Sequence, residues 1–275
     1  ISISNPSFEK KNLKNLNLEN FNVQKSLSGE EKLIDLAKKN LLRQWIIKKP
    51  KENNIIITNG AKAALYCVFK VIANRQKKNN FGIVNPNWPT YIDLIKISGA
   101  TPVFFNTKIE NKYEIDIKTL EKFIKIKKLK ILIISNPNNP SGKIYNHQII
   151  KKIITICEKN KCYLVLDESF SSHVFKKRFA QDKKDYKSKF LIIINSFSKN
   201  YHLQGLRLGV ILAKKKLVEE FSNVHIAING APNNVSQDLI INYNKILLKT
   251  KDIKKKMKYV TDFLFSKGVD FYKPD

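Results

Sequence analysis

Short apolar runs and longer amphipathic stretches take turns along most of the chain. The runs fall at residues 55–58, 82–85, 101–105, 130–135, 163–166, 190–194 and 210–212, and read as strands. The run at 190–194 is apolar at every position, the pattern of a parallel strand buried on both faces. Between the runs, apolar residues recur at helical spacing over 30–47, 61–74, 91–98, 120–128 and 147–160. In the first of these, Leu33, Leu36, Ala37, Leu41 and Trp45 share one face. From about 231 to 265 the pattern is again helical, with no internal repeat, and residues 1–30 are polar and irregular, the composition of an arm. Strands alternating with helices predict an α/β fold: a three-layer αβα arrangement around a mostly parallel sheet.

In such sheets ligands bind at the carboxyl ends of the strands. The residues with chemical potential follow those ends: Asn59-Gly60, the loop 86–88, the loop 136–142, Asp167, and the segment 196–199. Lys199 stands just past a strand, between hydroxyls and eight residues before an arginine, in Ser196-Phe197-Ser198-Lys199 and Gly205-Leu206-Arg207-Leu208-Gly209. Such a lysine suits a phosphorylated aldehyde, its amine forming a Schiff base while Ser196, Ser198 and the planar fork of Arg207 hold the phosphate. Each residue also has a plainer reading. Lys199 is one of many surface lysines, Asp167 a helix cap or loop acid, the 136–142 segment a Pro/Asn/Gly turn, Asn59-Gly60 a tight turn, and Trp88 a core aromatic.

Composition narrows the partners. With 275 residues and 43% apolar content, the chain can build a large core, as one large domain or one domain plus part of another. No apolar run approaches the ~18 residues of a membrane span. No signal peptide stands out, and a start at Ile1 suggests that the chain begins inside a longer protein. The net charge of +28 is spread along the whole length, and the clusters at 125–130, 214–216 and 254–256 sit beside apolar helical positions as solvated faces. With no aromatic-glycine RNA motif and no zinc spacing, no specific nucleic-acid partner is expected. Cys67, Cys157 and Cys162 lack metal-type pairing and read as buried reduced thiols. His147, His173, His202 and His225 form no triad or metal pattern, and no phosphate-binding loop of the Walker type accompanies Asp167.

The Lys199 segment resembles the lysine motif of the class I/II aminotransferases, pyridoxal-phosphate enzymes of fold type I. The run Asn136-Pro137-Asn138-Asn139-Pro140-Ser141-Gly142 is similar to that family's Asn-Pro loop, and Asp167 and Trp88 fall where it has an acid and an aromatic. The resemblance implies pyridoxal 5'-phosphate as cofactor, with Lys199 and Asp167 catalytic. Asp167 would pair with the pyridine nitrogen, Asn139 would donate to the phenolic oxygen and Trp88 would stack on the ring. The phosphate would lie between Arg207, Ser196, Ser198 and the helix start at Asn59, Gly60, Ala61 and Lys62. It also implies a homodimer acting on an amino acid and a 2-oxo acid, and the buried reduced thiols point to a cytoplasmic protein. The domains would be an arm at 1–30, a large cofactor-binding domain at 31–255, and the start of a truncated small domain at 256–275. That small domain carries the family's carboxylate-gripping arginine.

Phe170 departs from the pattern, because many relatives have a tyrosine there whose hydroxyl reaches the ring oxygen; Ser169 is the nearby hydroxyl. Gly205 to Gly209 and Pro232-Asn233-Asn234-Val235 lean toward the histidinol-phosphate aminotransferase and threonine-phosphate decarboxylase branch. A decarboxylase or carbon–sulfur lyase of the same fold would use the same Lys199 and Asp167. A non-catalytic basic scaffold is the alternative from another class.

Overall fold

The computed structural model describes residues 26–42, 54–75, 79–174, 188–201, 203–242 and 250–273. Seven strands form one sheet: β1 (Ile55–Thr58), β2 (Asn80–Asn85), β3 (Thr101–Asn106), β4 (Leu129–Ser135), β5 (Tyr163–Asp167), β6 (Leu191–Ser196) and β7 (Gly209–Leu212). Their spatial order is β1-β7-β6-β5-β4-β2-β3. The neighbours from β3 to β6 pair in parallel, whereas β7 is antiparallel to both β6 and β1. The helices are α1 (Glu31–Asn40), α2 (Ala61–Ala73), α3 (Thr90–Ile97), α4 (Ile117–Lys127), α5 (His147–Lys159), the single turn α6 (Phe197–Asn200), α7 (Lys215–Asn229), α8 (Asn234–Asn242) and α9 (Thr250–Ser266).

Side chains on a strand alternate between faces, and this alternation builds two cores. Leu164 and Leu166 of β5, Leu132 and Ile134 of β4, and Ile193 of β6 face α1, α4, α5 and α8. Val165, Ile131, Ile133, Ile192 and Ile194 face α2, α3 and α7. Each such buried side chain contributes about 1.5–3 kcal/mol relative to exposure. The central strands are apolar throughout because both faces are covered, while the edge strand β3 is mostly exposed or half-buried. Cys67, Cys157 and Cys162 are free and buried, and burial pushes the Cys67 thiol up to about 12.

Three expectations change in detail. The predicted helix at 30–47 stops at Asn40, where the Leu41 and Leu42 N–H groups both donate to the Ala37 carbonyl and close the turn. Residues 43–47, with Trp45, lie outside the described residues, as do residues 1–25 of the expected arm, His202, and the part of the C-terminal helical stretch at 243–249. Residues 28–30 are packed: the Ser28 carbonyl accepts from the Ile57 N–H at 2.9 Å, and the Glu30 N–H donates to Gln237 Oε1 at 2.7 Å. Finally, α7 occupies a stretch in which the lysines at 214–216 read as a solvated helical face but no element was delimited. It buries Leu217, Val218, Phe221 and His225 and has no side-chain cap at its start.

Candidate functional site

Parallel register brings the ends of β4, β5 and β6 level, pairing Ser135 with Asp167 and Asp167 with Ile194. By strand alternation Asp167 shares the face of Val165, the side covered by α2, α3 and α7. It is buried at 4% exposure. The Tyr91 hydroxyl donates to its Oδ2 at 2.6 Å and the Ser169 N–H to its Oδ1 at 2.9 Å. Burial, and then the adjacent Asp167 charge, hold the Tyr91 hydroxyl well above its ordinary pKa, so it stays a donor. Both carboxylate oxygens keep lone pairs for a further donor. The neighbouring strand end carries the amine. Ser196 caps α6, its Oγ accepting from the Ser198 N–H at 3.1 Å, and Lys199 sits on that single turn. Among the described residues Lys199 is half-buried and makes no side-chain hydrogen bond or ion pair.

Two buried amides, which the sequence did not single out, fix this turn. Asn195 Oδ1 accepts from the Ser196 N–H and from Asn200 Nδ2, both at 2.7 Å. Asn195 Nδ2 reaches across to the Leu41 carbonyl at 3.1 Å and Ser171 Oγ at 3.2 Å, while Asn200 Oδ1 accepts from the Ser172 N–H at 2.9 Å. The segment after Asp167 and the turn carrying Lys199 are thereby tied together.

At the end of β1 the chain turns at Gly60, whose φ of +88° lies in the region glycine favours, and enters α2. The first intrahelical bond runs from the Ala64 N–H to the Gly60 carbonyl, so the N–H groups of Ala61, Lys62 and Ala63 precede it and form an anion-binding end. Asn59 and Gly60 contribute differently from expectation. The Asn59 N–H donates to His225 Nε2 at 3.0 Å and the Gly60 N–H to the Thr58 carbonyl at 2.7 Å. Arg207 lies against this turn: a Cβ on Gly60 would come within 2.6 Å of its Nη2. Its Nη1 donates to the Gln204 carbonyl at 3.0 Å and to Ser198 Oγ at 3.4 Å. Gly209 closes the back, since a Cβ there would stand 2.6 Å from both Ala61 N and Gly60 C. The Arg207 guanidinium, Ser198 Oγ and the N-terminus of α2 thus lie together, and their charge and donors suit a phosphate.

Trp88 meets Tyr91 edge-on, with ring centres 5.4 Å apart, and the Lys62 ammonium lies 5.5 Å from its ring. Tyr91 therefore links Trp88 to Asp167. Asn139 is half-buried and makes no side-chain hydrogen bond among the described residues. Its loop is anchored by the residue before it, Asn138, which donates to the Pro86 carbonyl at 2.9 Å and accepts from Ser141 Oγ at 2.7 Å. The Asn136 N–H donates to the Asp167 carbonyl at 2.8 Å. Phe170 packs edge-on to His173, and Ser169 Oγ is buried without a hydrogen-bond partner among the described residues.

The family model "Aminotransferase class I and II" matches residues 10–262. Aspartate aminotransferase of Thermotoga maritima is 25% identical over 261 residues, 90% of this chain and 68% of that protein. Aspartate aminotransferase of Sulfurisphaera tokodaii is 28% identical, over 68% of this chain and 47% of its own length. A probable aspartate/prephenate aminotransferase of Rickettsia felis is 31% identical, over 72% and 50%. The chain thus spans from about half to two-thirds of the length of these relatives. Among solved structures, the Thermotoga maritima aspartate aminotransferase superposes with a TM-score of 0.82 at 23% identity, covering 92% of this chain and 67% of that one. An aromatic aminotransferase from Pyrococcus horikoshii gives 0.81 at 20%, covering 92% and 69%. The three-layer architecture with its mostly parallel sheet is the fold of these enzymes, and the chain belongs to the class I and II aminotransferase family.

Proposed function

We propose that the protein is a pyridoxal-phosphate-dependent aminotransferase that moves an amino group between an amino acid and a 2-oxo acid. One observation carries the reading: a buried carboxylate fixed at both oxygens ends β5, while the adjacent strand end presents an amine with no protein partner among the described residues. The phosphate cradle supports the fit, because Gly60 lacks the Cβ that would meet Arg207 Nη2 and Gly209 lacks the one that would meet the backbone of the turn. The orphan hydroxyl of Ser169, two residues past Asp167, is a further unsatisfied group on that side. When bound, the cofactor supplies an aldehyde that exchanges amines and a pyridinium ring that accepts the electron pair left on the substrate α-carbon.

The residues divide the work. Arg207, Ser196, Ser198 and the N–H groups of Ala61 and Lys62 hold the phosphate, while Asn59 and Gly60 shape the turn that aims those groups. Lys199 would hold the aldehyde through Nζ, and the same amine would serve as the acid–base group for the α-proton, a contribution of roughly 10²–10⁴-fold. Asp167 keeps the ring nitrogen protonated, and Tyr91 holds the acid in place. Asn139 donates to the phenolic oxygen without the tyrosine that Phe170 replaces. Trp88 covers the ring face, worth about 0.5–1.5 kcal/mol beyond burial. The working unit is a cytoplasmic homodimer; among the described residues no helix is long and apolar enough to cross a membrane. Residues 31–255 act as the cofactor-binding domain, with an arm before them and the start of a second domain at 256–275.

The test is an absorbance spectrum of the full-length protein with pyridoxal phosphate, followed by borohydride and peptide mass analysis. The expected adduct sits on Lys199 and is missing from Lys199→Ala; the same adduct in that variant overturns the assignment. Amino transfer to a 2-oxo acid then separates the proposed reaction from decarboxylation and lyase chemistry. A sedimentation run giving monomer alone would sink the dimer.

A further inference from the structure

His225 lies on α7, 166 residues from Asn59 in sequence, and the proposed function assigns it nothing. Its side chain is fully buried, and its Nε2 accepts the Asn59 N–H at 3.0 Å. An accepting Nε2 carries no proton, so the ring is the neutral tautomer with its proton on Nδ1. Nδ1 is itself buried with no hydrogen-bond partner among the described residues. A fully buried imidazole with one unmatched nitrogen is an unfavourable way to fill a core. Its one hydrogen bond goes to the turn that aims α2.

We infer that His225 is a positioning residue of the phosphate cradle: by accepting the Asn59 N–H it fixes the peptide before Gly60, so that the N–H groups of Ala61 and Lys62 converge with Arg207 on one phosphate. The inference rests on the proposed pyridoxal-phosphate function. The geometry leaves little slack around this peptide. Gly60 sits at φ +88° with Arg207 pressed against it, and Gly209 abuts Gly60 and Ala61 from behind. Without an acceptor at position 225, the Asn59 N–H turns to find water and rotates the peptide. Binding must then draw the turn back, and that ordering cost appears in cofactor affinity. Burial also depresses the imidazole pKa, which favours the accepting form.

The experiment compares wild type, His225→Phe and His225→Gln in the full-length protein. The Phe variant keeps a ring without an acceptor, and the Gln variant restores an acceptor oxygen. Cofactor affinity comes from absorbance titration of the apoprotein, the phosphate environment from its ³¹P resonance, and general damage from the apoprotein's thermal midpoint. Losing the acceptor should weaken pyridoxal-phosphate binding about tenfold and move the ³¹P resonance toward the free-cofactor position. Gln should recover affinity to within about threefold of wild type. Phe binding as tightly as wild type, or Gln binding as weakly as Phe, overturns the inference. If the Phe variant does not fold, the ¹⁵N resonance of His225 Nε2 in wild type decides: it should shift on cofactor binding, and a resonance that stays put overturns the role. A wild type that takes up no cofactor overturns the proposed function itself, and the inference with it.

Discussion

The two ends of the site are built differently. At the phosphate end the arginine and the turn are already engaged, Arg207 with Gln204 and Ser198, Asn59 with His225, Gly60 with Thr58, and Gly209 against the backbone of the turn, while the first N–H groups of α2 face an anion. At the ring end the supports and Asp167 are engaged, while Lys199 and Asn139 are not. Asn195, Asn200 and Asn138 hold their turns, whereas the side chains of Lys199 and Asn139 make no hydrogen bond among the described residues. A phosphate bears no part of the chemistry and needs a fixed seat. The reacting centre exchanges partners during turnover, and groups locked to the protein would have to be released first. The rigid end should therefore respond to sterics and the open end to lost donors, and substitutions can separate the two.

The largest effect is expected from Gly209→Ala. Its Cβ would stand 2.6 Å from Ala61 N and Gly60 C, backbone atoms that have no rotamer to retreat to. Stability should fall by about 3 kcal/mol, near the top of the range for overpacking, with cofactor affinity falling as well. Thermal unfolding and a pyridoxal-phosphate titration check both. If Gly209→Ala binds cofactor as wild type does, the phosphate end is softer than the contacts imply. At the other end, Tyr91→Phe removes the donor to Asp167 Oδ2 and leaves a buried carboxylate oxygen short of one partner. The expected loss is about 1–2 kcal/mol of stability, together with a shifted absorbance band of the bound cofactor, because the acid proposed to face the ring nitrogen has changed. An unshifted band would uncouple Asp167 from the ring.

His225 gives a pH handle on the rigid end alone. Burial sets its pKa below the ordinary imidazole value of 6.5, so the unfolded chain binds its proton more readily than the folded one. The stability it contributes is present above that ordinary value and is lost as pH falls through it toward the lower folded value. Between about pH 7.5 and about pH 5.5 the apoprotein's thermal midpoint should fall more steeply in wild type than in His225→Gln, which has no proton to gain. Parallel curves would show that the histidine does not titrate on unfolding.

How far the sequence reveals these two ends follows from how each is made. The ring end is local: Lys199, Ser196 and Ser198 lie within four residues, Asn139 within one Pro-rich loop, and Asp167 at the end of an apolar run. Their place at strand ends makes them candidates, and the resemblance to the family's motifs gives them their expected roles. The contacts that support them are long-range. Tyr91 meets Asp167 across 76 residues, Asn195 meets Leu41 across 154, and Asn59 meets His225 across 166. No periodicity encodes such pairs, so Tyr91 reads as a core or pocket-wall residue and His225 as a lone histidine. The sheet was predictable as mostly parallel from its alternating elements, but its strand order, with β7 between β1 and β6, was not. The bounds of α7 escaped because it opens on Lys215 and Lys216 after a lysine at the cap position with no capping side chain, and charge hides the apolar stripe of Leu217, Val218, Phe221 and His225.

The smallest effect tests whether the rigidity of the phosphate end is local. Both α2 and α7 serve the cradle, one through its N-terminus and the other through His225. Away from the site they are bridged by Arg75, just past the end of α2, whose Nη2 lies 2.6 Å from both carboxylate oxygens of Glu220 on α7; its Nη1 donates to the Tyr163 hydroxyl at 2.9 Å. Both side chains of the ion pair are about a third exposed, at 34% each, so solvent screens it. Glu220→Gln should cost under about 1 kcal/mol and less at high salt. Cofactor affinity should stay at the wild-type value, because Gly209, Arg207 and His225 hold the turn from positions that do not involve this pair. If affinity fell with Glu220→Gln, the cradle would depend on how the two helices dock as bodies, and the contrast between a rigid seat and an open reacting end would become one between two flexible ends.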